Sequence, residues 1–170
     1  MDVLAAFEDA VRVISLGGTG DIGKNMTLVA RQGCMFAVDC GLMFPDEQHP
    51  GVDVIIPDMT YVLQNAEQFA GVVLTHGHED HLGAVPYLME KIPIRIYGTR
   101  LTLGLLEAKL QEFHPVAGSE LIEMEPGIPE RMGDFDIELV RVSHSIPDGM
   151  GLFIRTPAGD LFHTGDFKFD

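Results

Sequence analysis

The sequence predicts an α/β protein in which stacked sheets are flanked by helices, on three observations. The order of elements runs strands, then a strand-helix-strand-helix stretch, then strands again, which suits a layered architecture. The run Gly71-Val72-Val73-Leu74-Thr75 reads as a short buried strand. The second half is strand-rich, punctuated by turns at Pro126-Gly127, Pro147-Asp148-Gly149 and Pro157-Ala158-Gly159. A chain of 170 residues that is 46% apolar supports one domain with a real core, without repeats or low-complexity tracts.

Taken in order, residues 11–16 alternate and read as a strand that Gly17-Gly18-Thr19-Gly20 breaks. Residues 27–32 and 34–39 read as two strands joined near Gly33, a hairpin. Residues 41–58 hold three prolines and form a long loop with a short strand at 52–56; loops of such length are usually functional or disordered. Residues 61–69 predict a helix, 71–75 a strand, and 82–91 a helix with Pro86 in its first turn or so, where a missing N–H costs little. A strand at 94–97 precedes a helix over 99–113, with Thr99 as N-cap and leucines at 101, 105, 106 and 110 for packing. Strands follow at 120–125, 135–142, 150–156 and 160–164.

The longest apolar runs are far too short to span a bilayer. The first residues are acidic (Asp2, Glu8, Asp9) rather than basic before an apolar run, so a cytoplasmic location is expected. Cys34 and Cys40 flank a strand of roughly 20 Å, whereas a disulfide needs Cα atoms within about 7 Å; free thiols are expected. The net charge of −15 argues against nucleic acid on its face, since that partner wants a basic groove. Carboxylates that bind divalent cations weaken the objection.

The chemistry concentrates in His76-Gly77-His78-Glu79-Asp80-His81, directly after the buried strand. His76 and His78 point the same way in an extended segment and can grip one metal. Asp80 and His81 follow where the chain turns into a helix, which lets them aim at a second point a few ångströms away. Imidazole suits zinc, and the carboxylate adds a hard oxygen ligand. His144 and Asp166 each stand just after a predicted strand, where ligands distant in sequence meet on one rim. His49 and His114 read as surface or capping residues, and His163 as packing.

These residues, with the flanking segments Gly17-Gly18-Thr19-Gly20-Asp21-Ile22-Gly23-Lys24-Asn25, Asp39-Cys40-Gly41-Leu42-Met43-Phe44-Pro45, Tyr97-Gly98-Thr99, His144-Ser145-Ile146-Pro147-Asp148 and His163-Thr164-Gly165-Asp166-Phe167-Lys168-Phe169-Asp170, resemble the ribonuclease J family. That family is the β-CASP group of the metallo-β-lactamase superfamily. The resemblance implies an αββα sandwich, here incomplete. Residues 1–170 would be the N-terminal part of the metallo-β-lactamase domain, with the β-CASP insert and the C-terminal remainder absent. It further implies that His76, His78 and His144 hold one zinc, that Asp80 and His81 hold a second, and that Asp166 bridges both. A last ligand histidine would lie in the absent part. Asp39 would support the site from beneath, and Asp80 would orient a hydroxide as the catalytic residue. Manganese also suits mixed nitrogen and oxygen ligands.

The function implied is metal-dependent hydrolysis of RNA phosphodiesters, in RNA processing and decay. RNA would be the partner, without a membrane, in a homo-oligomer or ribonuclease complex of the full-length enzyme. Two metals about 3.5–4 Å apart clamp the attacking and leaving oxygens of an in-line displacement and make hydroxide available near neutral pH. Two alternatives stay open: a small-molecule hydrolase of the superfamily (thioester, lactone or β-lactam) and a non-catalytic metal-binding fragment.

Overall fold

The computed structural model describes residues 9–47 and 49–169; Asp2, Glu8 and Asp170, used above, lie outside them. Two sheets stack face to face. The first is six-stranded, in the order β1 (Arg12–Gly17), β2 (Met26–Arg31), β3 (Cys34–Val38), β4 (Phe69–Val73), β5 (Arg95–Gly98) and β6 (Glu120–Glu123). Its first three strands are antiparallel, and β3 to β6 run parallel. The second sheet is an antiparallel meander of β7 (Glu130–Met132), β8 (Phe135–Arg141), β9 (Met150–Arg155) and β10 (Leu161–His163).

Alternation along the first sheet divides the core in two. Leu28, Ala37, Val72 and Ile96 face a helical layer, where they meet Val62 of α1 (Thr60–Gln64), Leu82 of α2 (Glu79–Leu82), Leu88 of α3 (Val85–Met89) and Leu106 of α4 (Arg100–Leu110). Val29, Phe36, Val38, Val73 and Tyr97 face the other way, onto Phe135, Ile137, Leu139, Leu152 and Ile154 of the second sheet. The central parallel strands are therefore buried on both faces, which their apolar runs require. Among the described residues the layers number three, helices-sheet-sheet, so the αββα sandwich is present in part. The outer face of the second sheet leaves Phe162 exposed, and Phe169 beyond it is 91% exposed.

The hairpin near Gly33 is a two-residue turn: Arg31 pairs with Cys34, and Gln32 and Gly33 both have positive φ, as a type I′ turn demands. Thr99 caps α4, its side chain accepting from Thr102 N at 3.4 Å. Cys34 and Cys40 are free thiols, at the start of β3 and just past its end.

Several expectations need correction. The helix over 61–69 ends early, because a 3-10 turn over Ala66–Gln68 leads straight into β4. The helix over 82–91 is shorter, Val85–Met89 alone, and a separate turn, α2, precedes it over Glu79–Leu82; Ala84 N donates to Cys40 O instead of continuing α2. The strand at 52–56 is a single bridge, Met43 to Ile55. In α4 it is Leu103 and Leu106 that are buried, while Leu101 and Leu105 face outward. The short strand β7 went unread, for Glu130-Arg131-Met132 offers too little apolar pattern.

Candidate metal centre

The rim between the two sheets gathers loops from both. Strands β3 and β4 are parallel, so Asp39 and the 74–81 segment leave the first sheet at the same edge. Strands β8 and β10 both pair antiparallel to β9, so His144 and Asp166 leave the second sheet at a common edge. Met150 N donates to Thr75 O at 3.0 Å, which locks the two edges together. Loop 39–42 runs along the 73–81 segment: Asp39 N donates to Val73 O, Cys40 N to His81 O at 2.7 Å and Leu42 N to Glu79 O at 3.0 Å. Gly41 permits this approach, since a β-carbon there would stand 1.6 Å from Asp80 O.

His76, 1% exposed, sits at the centre. Its Nε2 lies 3.0 Å from His78 Nδ1, and His144 Nε2 lies 3.2 Å from the same atom. Nitrogens around a tetrahedral zinc at about 2.0–2.1 Å stand roughly 3.4 Å apart, so three converging imidazoles at this spacing fit one ion. A second group brings together His76, His81 and Asp166. Asp166 Oδ2 stands 3.4 Å from His81 Nε2 and 3.8 Å from His144 Nε2, between the two groups. Asp80 falls outside both groups, yet its Oδ2 is 3.5 Å from His81 Nε2. All six predicted donors thus share one rim.

Asp39 lies beneath, 1% exposed. Its Oδ2 is 2.7 Å from His81 Nδ1 and accepts from Thr75 Oγ1 at 2.8 Å, while Oδ1 accepts from Thr75 N at 2.8 Å. A carboxylate on the far nitrogen of a ligand histidine fixes its tautomer and ring orientation. Thr75 Oγ1 is also 2.9 Å from His76 Nδ1, so Nε2 is left facing the centre. Asp39 adopts φ +61°, a left-handed conformation that Asp tolerates better than most residues.

The remaining histidines stay apart. His49 is exposed and pairs with Asp46 at 2.8 Å, and exposed His114 donates its main-chain N–H to Glu90 at 3.0 Å. Half-buried His163 accepts at Nδ1 from Gly165 N at 3.1 Å, which steadies the turn before Asp166. Burial holds its pKa below the usual range, assisted by the His81 cation.

The field across the metal-free centre is uneven. Burial, then the neighbouring His81 cation, lowers the pKa of His76 to about 4 against the pull of Asp39. Burial also works against the charge of His81, but the hydrogen bond and charge of Asp39, with Asp80 and Asp166, raise its pKa to about 9. A raised histidine pKa contributes stability that is full below about pH 6.5 and lost as pH rises through 9. The depressed pKa of His76 contributes stability that is full above about pH 6.5 and lost as pH falls through 4. Urea unfolding in chelator is therefore expected to give its highest free energy near pH 6.5, with a fall on both sides; a monotonic profile would contradict this charge arrangement.

Sequence reading did not single out Thr75 or Asn25. Thr75 carried only the hint of a hydroxyl between strand and histidine, and Asn25 closed the glycine-rich motif without a stated role.

Two stacked sheets with a His/Asp cluster on their shared rim define the class, and the chain belongs to the β-lactamase superfamily: the family described as "Beta-lactamase superfamily domain" matches residues 44–170. Within it, the chain is 47% identical to "Ribonuclease J" of Thermus thermophilus, over 96% of this chain and 30% of the relative. It is 42% identical to "Ribonuclease J" of Mycobacterium tuberculosis, over 94% of this chain and 28% of the relative. The chain thus spans less than a third of the length of these curated relatives, and it matches their N-terminal portion. Among solved structures, the metallo-β-lactamase fold protein YhfI from Bacillus subtilis aligns with a TM-score of 0.69 at 18% identity, over 95% of this chain and 65% of that one.

Proposed function

We propose that this chain is the metal-bearing part of a ribonuclease that hydrolyses RNA phosphodiesters with two zinc ions, manganese being chemically compatible. The observation that carries the reading is the position of Asp166 Oδ2, 3.4 Å from His81 Nε2 and 3.8 Å from His144 Nε2, where one carboxylate serves two donor groups. His76, His78 and His144 would hold the first ion, Asp80 and His81 the second, and Asp166 both. Such a pair supplies an acidified water near pH 7 and positive charge for a phosphate. Asp80 remains partly open to solvent, so it is placed to orient the attacking water and receive its proton. The buried Asp39–Thr75 network holds His76 and His81 in aim throughout.

RNA as substrate rests on the relatives' names. Positive ions at the rim answer the net charge of −15, which otherwise repels RNA. The whole protein is proposed to work in the cytoplasm, in a homo-oligomer or ribonuclease complex; no helix among the described residues is long and apolar enough to cross a membrane.

Three imidazoles and a shared carboxylate would hold the first ion, one imidazole and two carboxylates the second, so zinc is expected to titrate in a tight and then a weak step. The chain by itself is expected to cleave 5′-monophosphorylated RNA slowly, to stop in chelator, and to lose the activity in Asp80→Ala. Hydrolysis of a thioester or β-lactam with RNA untouched would overturn the reading.

A further inference from the structure

We infer that Asn25 is a positioning residue for the second ion: its side-chain amide holds the Asp80 carboxylate against His81, and Gly18 leaves the space that amide needs. The inference rests on the two-ion reading above.

Asn25 Nδ2 lies 3.0 Å from Asp80 O and 3.3 Å from Asp80 Oδ2, two acceptors for its two hydrogens. The same nitrogen stands 3.2 Å from His81 Nε2, at the point where Asp80, His81 and Asp166 face one another. The main chain repeats the attachment, with Asn25 N donating to Asp80 O at 3.0 Å and Gly41 N donating to Asn25 O at 2.9 Å. The asparagine is thus clamped between two of the loops that build the rim. A flipped amide would set its oxygen against both oxygens of Asp80, so the two Asp80 contacts assign the orientation, with His81 Nε2 deprotonated once it faces an ion.

The glycine-rich motif takes its place from this contact. A β-carbon on Gly18 would stand 2.4 Å from Asn25 Oδ1, and one on Gly17 would stand 2.0 Å from Lys24 O. Both glycines let the 24–25 segment lie flat against the turn that leaves β1, and Gly18 also adopts φ +84°. The motif is therefore the far wall of the metal centre.

Asn25 has no hydrogen bond to His78 or His144 among the described residues, so its effect is confined to the second step. Loss of a partner that orients a ligand costs about 10–100-fold in metal affinity. Asn25→Ala and Asn25→Leu, which both lack the N–H donors and add no carboxylate beside His81, should weaken the second cobalt by that factor in titrations read by visible absorption and calorimetry. The first step should hold within about twofold. Gly18→Ala should displace the amide and reproduce the selective loss without touching a ligand.

A second readout needs no ion. In the metal-free chain both Asn25 side-chain amide protons should give shifted, exchange-protected NMR signals; in Asp80→Ala the proton that faces Oδ2 should revert, while the one donated to the main-chain O of residue 80 should stay. Unchanged second-step affinity in Asn25→Ala, or equal loss of both steps with a fall in stability, would overturn the assignment. Amide signals indifferent to Asp80→Ala would do the same. A wild-type chain that takes up one cobalt only would refute the two-ion reading and the link to a second ion, while the amide signals would still decide the Asn25–Asp80 contact.

Discussion

Asp39→Ala is expected to lower the folding free energy of the metal-free chain by about 3–5 kcal/mol, the usual cost of removing one partner from a buried charge pair. Asp39 is 1% exposed, and its two oxygens meet His81 Nδ1, Thr75 Oγ1 and Thr75 N within 2.8 Å. Without it the His81 cation is left buried without the partner whose hydrogen bond raises its pKa. The main-chain N–H of Thr75 loses its acceptor as well, and alanine takes φ +61° less readily than aspartate. Asp39→Asn keeps the shape and the left-handed tolerance but loses the charge, so its loss should fall between wild type and alanine. Urea unfolding at pH 7 in chelator gives the comparison. A loss of under about 1 kcal/mol for alanine would mean that the carboxylate is not the keystone of the 75–81 segment.

His78→Ala should act the opposite way, sparing the fold and removing the first ion. His78 is only half-buried, and its Nδ1 is the atom on which His76 Nε2 and His144 Nε2 converge. Structural zinc sites are worth about 10–16 kcal/mol. Spread over four donors, that gives about 3 kcal/mol each, or a hundredfold and more in affinity. Competition against a chromophoric chelator should show that drop for the first ion, with metal-free stability within about 0.5 kcal/mol of wild type. Wild-type affinity in the variant would exclude His78 as a ligand.

The gathering of the candidate donors was legible in the sequence because metal chemistry leaves few alternatives for three histidines and an aspartate in six residues. His144 and Asp166 were legible through their places after strands. Thr99 and the Gln32-Gly33 turn were legible because capping and hairpin chemistry act over a few residues. What stayed hidden depends on contacts between distant segments. Ala84 ends α2 by donating to Cys40 O, and nothing within residues 82–91 announces that partner. Asn25 is 55 residues from Asp80, and its role appears only once loop 39–42 brings the two together. Leu105 looks like a core leucine by spacing, yet it leans over Gly77 at the mouth of the centre, where a β-carbon on Gly77 would stand 2.3 Å from it.

X-ray absorption at the zinc edge, on the chain loaded with one equivalent, tests most directly whether His76, His78 and His144 hold an ion. Three imidazole nitrogens at about 2.0–2.1 Å with one oxygen-type ligand are predicted. A shell of oxygens alone, or a spectrum unchanged in His78→Ala, would contradict a metal centre built on these three histidines.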